Sequence, residues 1–362
     1  MTPRIRNLAR RVGPLEVDAL LVTDETNVRY LSGFTGDSSS LLVAAGDAWL
    51  LTDGRYESQV KLECPGMNAL VRSPAERPDE FLAAAIRDSG YRRIGFEADH
   101  VSVARFSAWG QRSEPVRWVA TSGEVERLRQ IKDDDELATL REAVRIAQRA
   151  FRAVTATLTA KAEERQIAHG LEASMRSLGA EGVSFEPIVA AGPAAAWPHY
   201  RPGATAIGDS PTLLIDWGAR FQGYCSDLTR TLVHRPQAPA AFLNAYEVVL
   251  EAQLAAIEAI GPGVEARRVD AAARGIIERA GLGPEFKHGL GHGIGLQIHE
   301  DPRMSAASAE VLRPGMVVTV EPGVYLENRF GIRIEDDVLV TETGRELLSD
   351  LPKGLVDVEL IR

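Results

Sequence analysis

Residues 212–233 read TLLIDWGARFQGYCSDLTRTLV, two strand-like runs joined by a polar turn that contains glycine. Asp216 sits at the end of the first run and Asp227 interrupts the second. A hairpin turning near Phe221–Gln222 would set these two carboxylates opposite each other. There they repel unless a proton or a cation lies between them. A strand core ordinarily excludes carboxylates, because burying an unpaired one is costly. The pattern returns downstream, where Glu321 interrupts MVVTVEPGVYL (316–326) and Glu335 interrupts GIRIEDDVLVT (331–341). Any one of these acids alone reads as a strand-end or solvent-facing residue. Four of them inside apolar β-like runs of one region suit the hard oxygen ligands of one or two divalent cations.

Residues 288–300, HGLGHGIGLQIHE, place His288, His292 and His299 among four glycines. A zincin helix would need a second histidine four residues after His299, where Arg303 stands instead. The alternating glycines do not fit a dinucleotide-binding loop either. They indicate close approach of the backbone to something, or unusual dihedrals. One histidine beside four carboxylates makes a mixed nitrogen–oxygen site for Mn, Co, Fe or Zn. The other two could serve as acid–base or oxyanion groups next to it.

The rest of the chain frames this region. At 362 residues it is long enough for two domains. Its balance of 41 Lys+Arg against 51 Asp+Glu argues against a nucleic-acid or membrane-surface partner. No run of about 18 apolar residues predicts a spanning helix. The basic start MTPRIRNLARRVG has no apolar core behind it, so no secretory signal is expected. Two cysteines, Cys64 and Cys225, make no disulfide framework and suit a reducing cytoplasm.

Residues 18–24, 40–52 and 92–98 read as strands and 78–90 as a helix ended by Gly90, giving a small α/β domain over residues 1–122. The polar stretch 121–135 is the boundary. Beyond it, Leu137, Leu140, Val144, Ala147, Phe151 and Val154 recur at helical spacing, with Asp133–Asp135 placed to cap the start. Further helices are expected near 163–177, 240–260 and 265–280. With the strand-like runs they make residues 123–362 a mixed domain with a mainly antiparallel sheet, so the chain as a whole is α+β.

Five segments carry a family resemblance: LLIDWGA, SDLTRT, HGLGHGIGLQIHE, TVEPGVY and GIRIEDD. In order and spacing they resemble the signature of the pita-bread (creatinase/methionine aminopeptidase-like) metallopeptidases, in the Xaa-Pro peptidase branch of prolidase and aminopeptidase P. TNVRYLSGFTGDSSSLLV and LLTDGRYESQV resemble the creatinase-type N-terminal domain. The resemblance implies a pita-bread catalytic domain that hydrolyses the bond between an N-terminal residue and proline. It implies two divalent metal ions, manganese first with cobalt or zinc as alternatives, held by Asp216, Asp227, His292, Glu321 and Glu335. Asp227 and Glu335 would bridge the ions. Glu321 would also accept a proton, His288 and His299 would meet the substrate carbonyl or the tetrahedral intermediate, and His199 and Arg333 would lie in the substrate pocket. A homodimer acting on proline-containing peptides is likewise implied.

The rivals are a metal-free creatinase-type amidinohydrolase, a methionine aminopeptidase and a catalytically inactive binding module. The first and last of these ordinarily lack ligands that are all present here, and the second usually lacks a leading domain. Cys225 reads as a small buried filler rather than a ligand. Trp197 reads equally as pocket wall or turn packing. His100, His169 and His234 read as ordinary residues, and KDDDE at 132–136 as a solvated helix start.

Overall fold

The computed structural model describes residues 1–355; residues 356–362, the end of the expected second domain, lie outside the described residues. Two compact units divide the chain, Met1–Arg129 and Gln130–Arg362. The division falls within the polar stretch 121–135, after a short helix, Glu126–Arg129, and seven residues later than the bound of 122.

The first unit is built on a six-stranded sheet whose central strands, Ala19–Val22 and Ser40–Ala44, pair antiparallel. Parallel pairs lie to either side: Ala48–Asp53 with Asn68–Arg72, and Ala19–Val22 with Arg93–Glu97 and then Arg117–Thr121. The run 40–52 is therefore two strands and not one. Gly46 and Asp47 turn the chain, and the Ala44 amide donates to the Asp47 carbonyl. Uniform hydrophobicity on both limbs hid the turn.

In the second unit every strand pairing among the described residues is antiparallel. Asp133 and Glu136 form a reciprocal capping box that starts the helix Asp134–Thr155. Leu140, Val144 and Ala147 on that helix are wholly buried, as their spacing predicted. The helix grips the strand Thr212–Trp217: the Trp217 indole stacks on Phe151 at 4.3 Å and its Nε1 donates to the Ala147 carbonyl. Helix Ala240–Ala259 has the length and hydropathy to cross a membrane. In the fold it is a core helix, with Phe242, Tyr246, Val249 and Ala256 buried and the buried Gln253 amide donating to Asp336.

The runs that carry the acids are less continuous than they read. MVVTVEPGVYL breaks at Glu321–Pro322 into Val317–Val320 and Gly323–Leu326, since proline has no N–H for a ladder. GIRIEDDVLVT breaks at Ile334–Glu335, and the strand pair near Asp227 breaks at Ser226–Asp227. The first hairpin also turns one position later than expected. Gln222 and Gly223 both have positive φ, 46° and 84°, the requirement of a two-residue turn that follows strand twist. Asp216 therefore pairs with Thr229 rather than with Asp227. The slip is of two residues, so Asp227 stays on the face of Asp216 as a diagonal neighbour.

Gly218 lies at this break. A Cβ there would meet the Ser226 carbonyl oxygen at 1.8 Å and Ser184 Oγ at 2.8 Å, and a backbone atom cannot rotate away. Gly218→Ala is expected to destabilise the protein by about 1–3 kcal/mol, as overpacking does, and to displace Ser226–Asp227. Denaturant unfolding and metal titration check this; wild-type values in both would show that the strand break has slack.

Candidate metal centre

Asp216, Asp227, His292, Glu321 and Glu335 converge in one cavity of about 1090 Å³ that lies within the second unit. Four of the five are buried, and the Glu321 side chain keeps 18% of its exposure toward the cavity. Asp216 comes from the strand Thr212–Trp217 and His292 from Gly291–Gly293, while Asp227, Glu321 and Glu335 come from the breaks. Ligand atoms of Asp227, His292 and Glu335 all lie within 4.8 Å of one another. His292 Nε2 is 3.7 Å from Asp227 Oδ2 and 3.4 Å from Glu321 Oε1.

The state of His292 decides what this arrangement can hold. Its Nδ1 faces the Gly293 carbonyl at 3.0 Å, and a carbonyl only accepts, so Nδ1 carries the hydrogen. Nε2 of the neutral ring is then a lone pair aimed at two carboxylates. Burial pushes the His292 pKa down to about 3, against a smaller opposing effect of that carbonyl. Asp216 Oδ1 and Asp227 Oδ1 are buried without a hydrogen-bond partner. A lone pair and partnerless carboxylate oxygens in one buried pocket form a donor set suited to a cation, and mixed nitrogen–oxygen donors fit a divalent one. Burial, then the neighbouring carboxylates, raises Asp227 and Glu335 well above the usual range, which favours their protonated forms. Burial raises Glu321 to about 8, against the opposing charge of Arg333.

Each of four of these groups is tied from behind. Arg333 Nη2 reaches Asp216 Oδ2 at 2.5 Å. Thr229 Oγ1 donates to Glu335 Oε2 at 2.6 Å, and Thr319 Oγ1 receives the His292 amide. The Asp227 amide donates to Asp337 Oδ2 at 3.0 Å. Arg333 was expected in the substrate pocket, and it does line the cavity. Its donors are nonetheless committed to Asp216, Tyr325 and Thr229. Thr229, Thr319, Tyr325 and Asp337 were not singled out from sequence; Thr229, Thr319 and Asp337 each sit two positions from an expected ligand and Tyr325 four from Glu321, and only the fold shows which way each faces.

The three remaining histidines differ in what occupies their rings. His288 Nδ1 donates to the Gly289 carbonyl, and its Nε2 accepts from the Tyr325 hydroxyl at 2.9 Å. Burial lowers it to about 4, so it is neutral with no N–H to spare. His299 stands perpendicular to His292 with ring centroids 4.5 Å apart and has no side-chain hydrogen bond among the described residues. His199 lines the cavity, as does His169, which had read as an ordinary helix residue. Trp197 is 63% exposed, and Cys225 is fully buried with its thiol pushed up to about 11 by burial.

A model of metallopeptidase family M24 matches residues 138–342, and one of the creatinase/prolidase N-terminal domain matches residues 4–131. Three solved structures are similar over the whole length. The Xaa-Pro dipeptidase from Bacillus anthracis is 36% identical with a TM-score of 0.93, covering 97% of this chain and 98% of that one. The X-Pro aminopeptidase from Thermotoga maritima is 34% identical with a TM-score of 0.86, covering 95% and 99%. The prolidase from Pyrococcus horikoshii is 31% identical with a TM-score of 0.90, covering 98% and 100%.

The proton load of the centre sets a pH dependence. A carboxylate whose folded pKa is raised stabilises the fold most below its unfolded value of 4.5, and that stability is lost as pH rises through about 8 for Glu321. The depressed histidines act oppositely, but their gain is complete by their unfolded value of 6.5. Between pH 6.5 and 8, therefore, the centre contributes only through its carboxylates, while His100, whose pKa the neighbouring acids raise, adds a fall of the same sign that metal at the centre does not remove. Chelator-treated protein is expected to lose stability across that window, by about 1.4 kcal/mol per pH unit for each retained proton. Saturating divalent metal should flatten the slope. Thermal unfolding at several pH values tests this, and a flat or rising profile for the metal-free protein contradicts it.

Proposed function

The chain belongs to metallopeptidase family M24, and we propose that it hydrolyses the bond between an N-terminal residue and a following proline. Peptidase chemistry and divalent metal use come with the family. Similarity to the named dipeptidase, aminopeptidase and prolidase supports the proline specificity. The observation that carries the site assignment is the His292 lone pair facing Asp227 and Glu321 beside partnerless carboxylate oxygens.

In this reading Asp216, Asp227, His292, Glu321 and Glu335 would together hold two divalent cations. Such cations, when bound, polarise a scissile carbonyl and make water a stronger acid. Glu321, at the cavity face of the cluster, takes a proton from the water that adds to the carbonyl carbon. It returns that proton to the nitrogen as the C–N bond breaks. His299 has ring nitrogens free for the developing oxyanion. His288, with both nitrogens in use, keeps Tyr325 and through it Arg333 and Asp216 in place. A bond to proline nitrogen is a tertiary amide without an N–H, so the pocket needs no acceptor there.

Turnover of Xaa-Pro and Xaa-Pro-Yaa peptides, with Mn, Co and Zn supplied in turn, is the direct test. Hydrolysis of at least one series, with little activity on matched peptides carrying alanine for proline, is the expected result. Equal cleavage of both overturns the specificity, and no cleavage with metal bound returns the chain to an inactive binding module. His299→Ala is expected to keep the metal stoichiometry of wild type and to lower kcat by about 10²–10³. Loss of metal on that substitution would make His299 a ligand instead.

A further inference from the structure

Glu164 is wholly buried, yet no cation pairs with it among the described residues, and it does not line the cavity. Its carboxylate is satisfied by three neutral donors. Oε1 accepts from the Ala191 amide at 2.8 Å, and Oε2 accepts from the Tyr200 hydroxyl and the Gly203 amide, both at 2.9 Å. Glu164 opens the helix Glu164–Ser177, whose positive end favours an anion at that position.

The three donors belong to one loop. Ala191 ends the strand Ile188–Ala191 where the loop begins, Tyr200 lies at its far side, and Gly203 is where the chain returns. The return limb is fastened to the same helix start: the Glu164 amide donates to Thr205 and the Arg165 amide to Gly203. Gly203 allows this approach, since a Cβ there would meet the Tyr200 hydroxyl at 3.2 Å and Glu164 Oε2 at 3.4 Å. Between entry and exit the loop carries His199 into the cavity, next to Tyr200.

We propose that Glu164 is a positioning residue, whose carboxylate gathers both ends of the 192–203 loop and so sets His199 for substrate. This rests on the reading of the cavity as the peptide site. A carboxylate suits the task because it accepts at both oxygens. A glutamine in its place must turn an N–H₂ toward at least one amide that also donates. The proposal separates substrate binding, which depends on the loop, from metal binding, which depends on strands that Glu164 does not touch.

The test uses full-length, metal-loaded protein carrying Glu164→Gln or Tyr200→Phe, each alone and combined with His199→Ala. Deuterium exchange comes first, because it needs no turnover. Amides of residues 192–203 should exchange faster in both single variants, while those of 213–217 stay as in wild type. Metal stoichiometry should not change. On an Xaa-Pro substrate KM should rise roughly tenfold, the equilibrium effect of one hydrogen bond to a charged group, with a smaller change in kcat. In the His199→Ala background the same substitutions should add little. Unchanged loop exchange in Glu164→Gln overturns the proposal, as does a KM increase that is fully additive with His199→Ala. If Glu164→Gln does not fold, Tyr200→Phe, which removes one hydroxyl, carries the same two criteria. Absence of turnover in wild type would instead sink the substrate reading and leave the exchange result to decide the role of Glu164.

Discussion

A neutral imidazole lone pair directed at two carboxylates cannot persist in a buried pocket by itself. His292 Nε2 has no hydrogen to give, and Asp227 and Glu321 have none to give unless they are protonated. Either protons or a cation must enter. The protein has committed to this conflict, because the Gly293 carbonyl fixes the ring's tautomer. Divalent metal resolves it by placing positive charge where the lone pairs meet. In the proposed site metal binding would therefore be part of the stability of the second unit, and removing metal would move its folding equilibrium.

The backbone around the centre follows from the same need. A regular ladder turns alternate side chains to opposite faces and spaces neighbours evenly, which would spread the acids along a sheet. Breaking the strands at Asp227, Glu321 and Glu335 releases each acid from that spacing. The breaks are then closed by charge. Arg230 lies buried beside Glu335, donating from Nη1 to the Thr229 and Glu335 carbonyls and from Nη2 to Asp336 at 2.7 Å. Lys353 and Gln253 complete the shell of Asp336. One arginine thus spans the two chain segments that present Asp227 and Glu335. Its removal would leave Asp336 short of a partner in the core.

Much of this was legible in the sequence, because a carboxylate in an apolar run contradicts its surroundings. That contradiction marked Asp216, Asp227, Glu321 and Glu335, and the glycine-flanked histidines marked His292. The helix of residues 134–155 was legible for the opposite reason, since its spacing and its cap agree. Register was not legible. The hairpin turn hinges on positive φ at Gln222 as well as Gly223; Gly223 was the one local signal for this turn over one a residue earlier, and centring the hairpin on the two acids overrode it. Supporting residues such as Tyr325, Asp337 and Glu164 were hidden too. Tyr325 looks like an ordinary strand aromatic until Arg333 and His288 are brought to its hydroxyl. Glu164 looks like an ordinary helix-start acid until a loop nearly forty positions further on folds over it.

The histidines of residues 288–300 show how a short motif divides labour. His288 and His292 are each followed by glycine, and each turns its Nδ1 onto the carbonyl of that glycine. The same local device leaves Nε2 as an acceptor in both, so the two rings differ only by what comes to meet them. Tyr325 offers a hydroxyl to His288 and closes it within the protein. Two carboxyl groups meet His292, and in the proposed site the loss of their protons leaves its Nε2 a ligand for metal. His299 is followed by Glu300, whose side chain is turned away into a buried ion pair with Lys132 at 3.3 Å. Among the described residues no carbonyl claims the His299 ring, so in the proposed site it alone of the three could change its hydrogen-bond partner as charge develops on a substrate. In the proposed site, which histidine holds, which binds and which acts would follow from whether a neighbouring carbonyl fixes the ring and from one partner across the cavity.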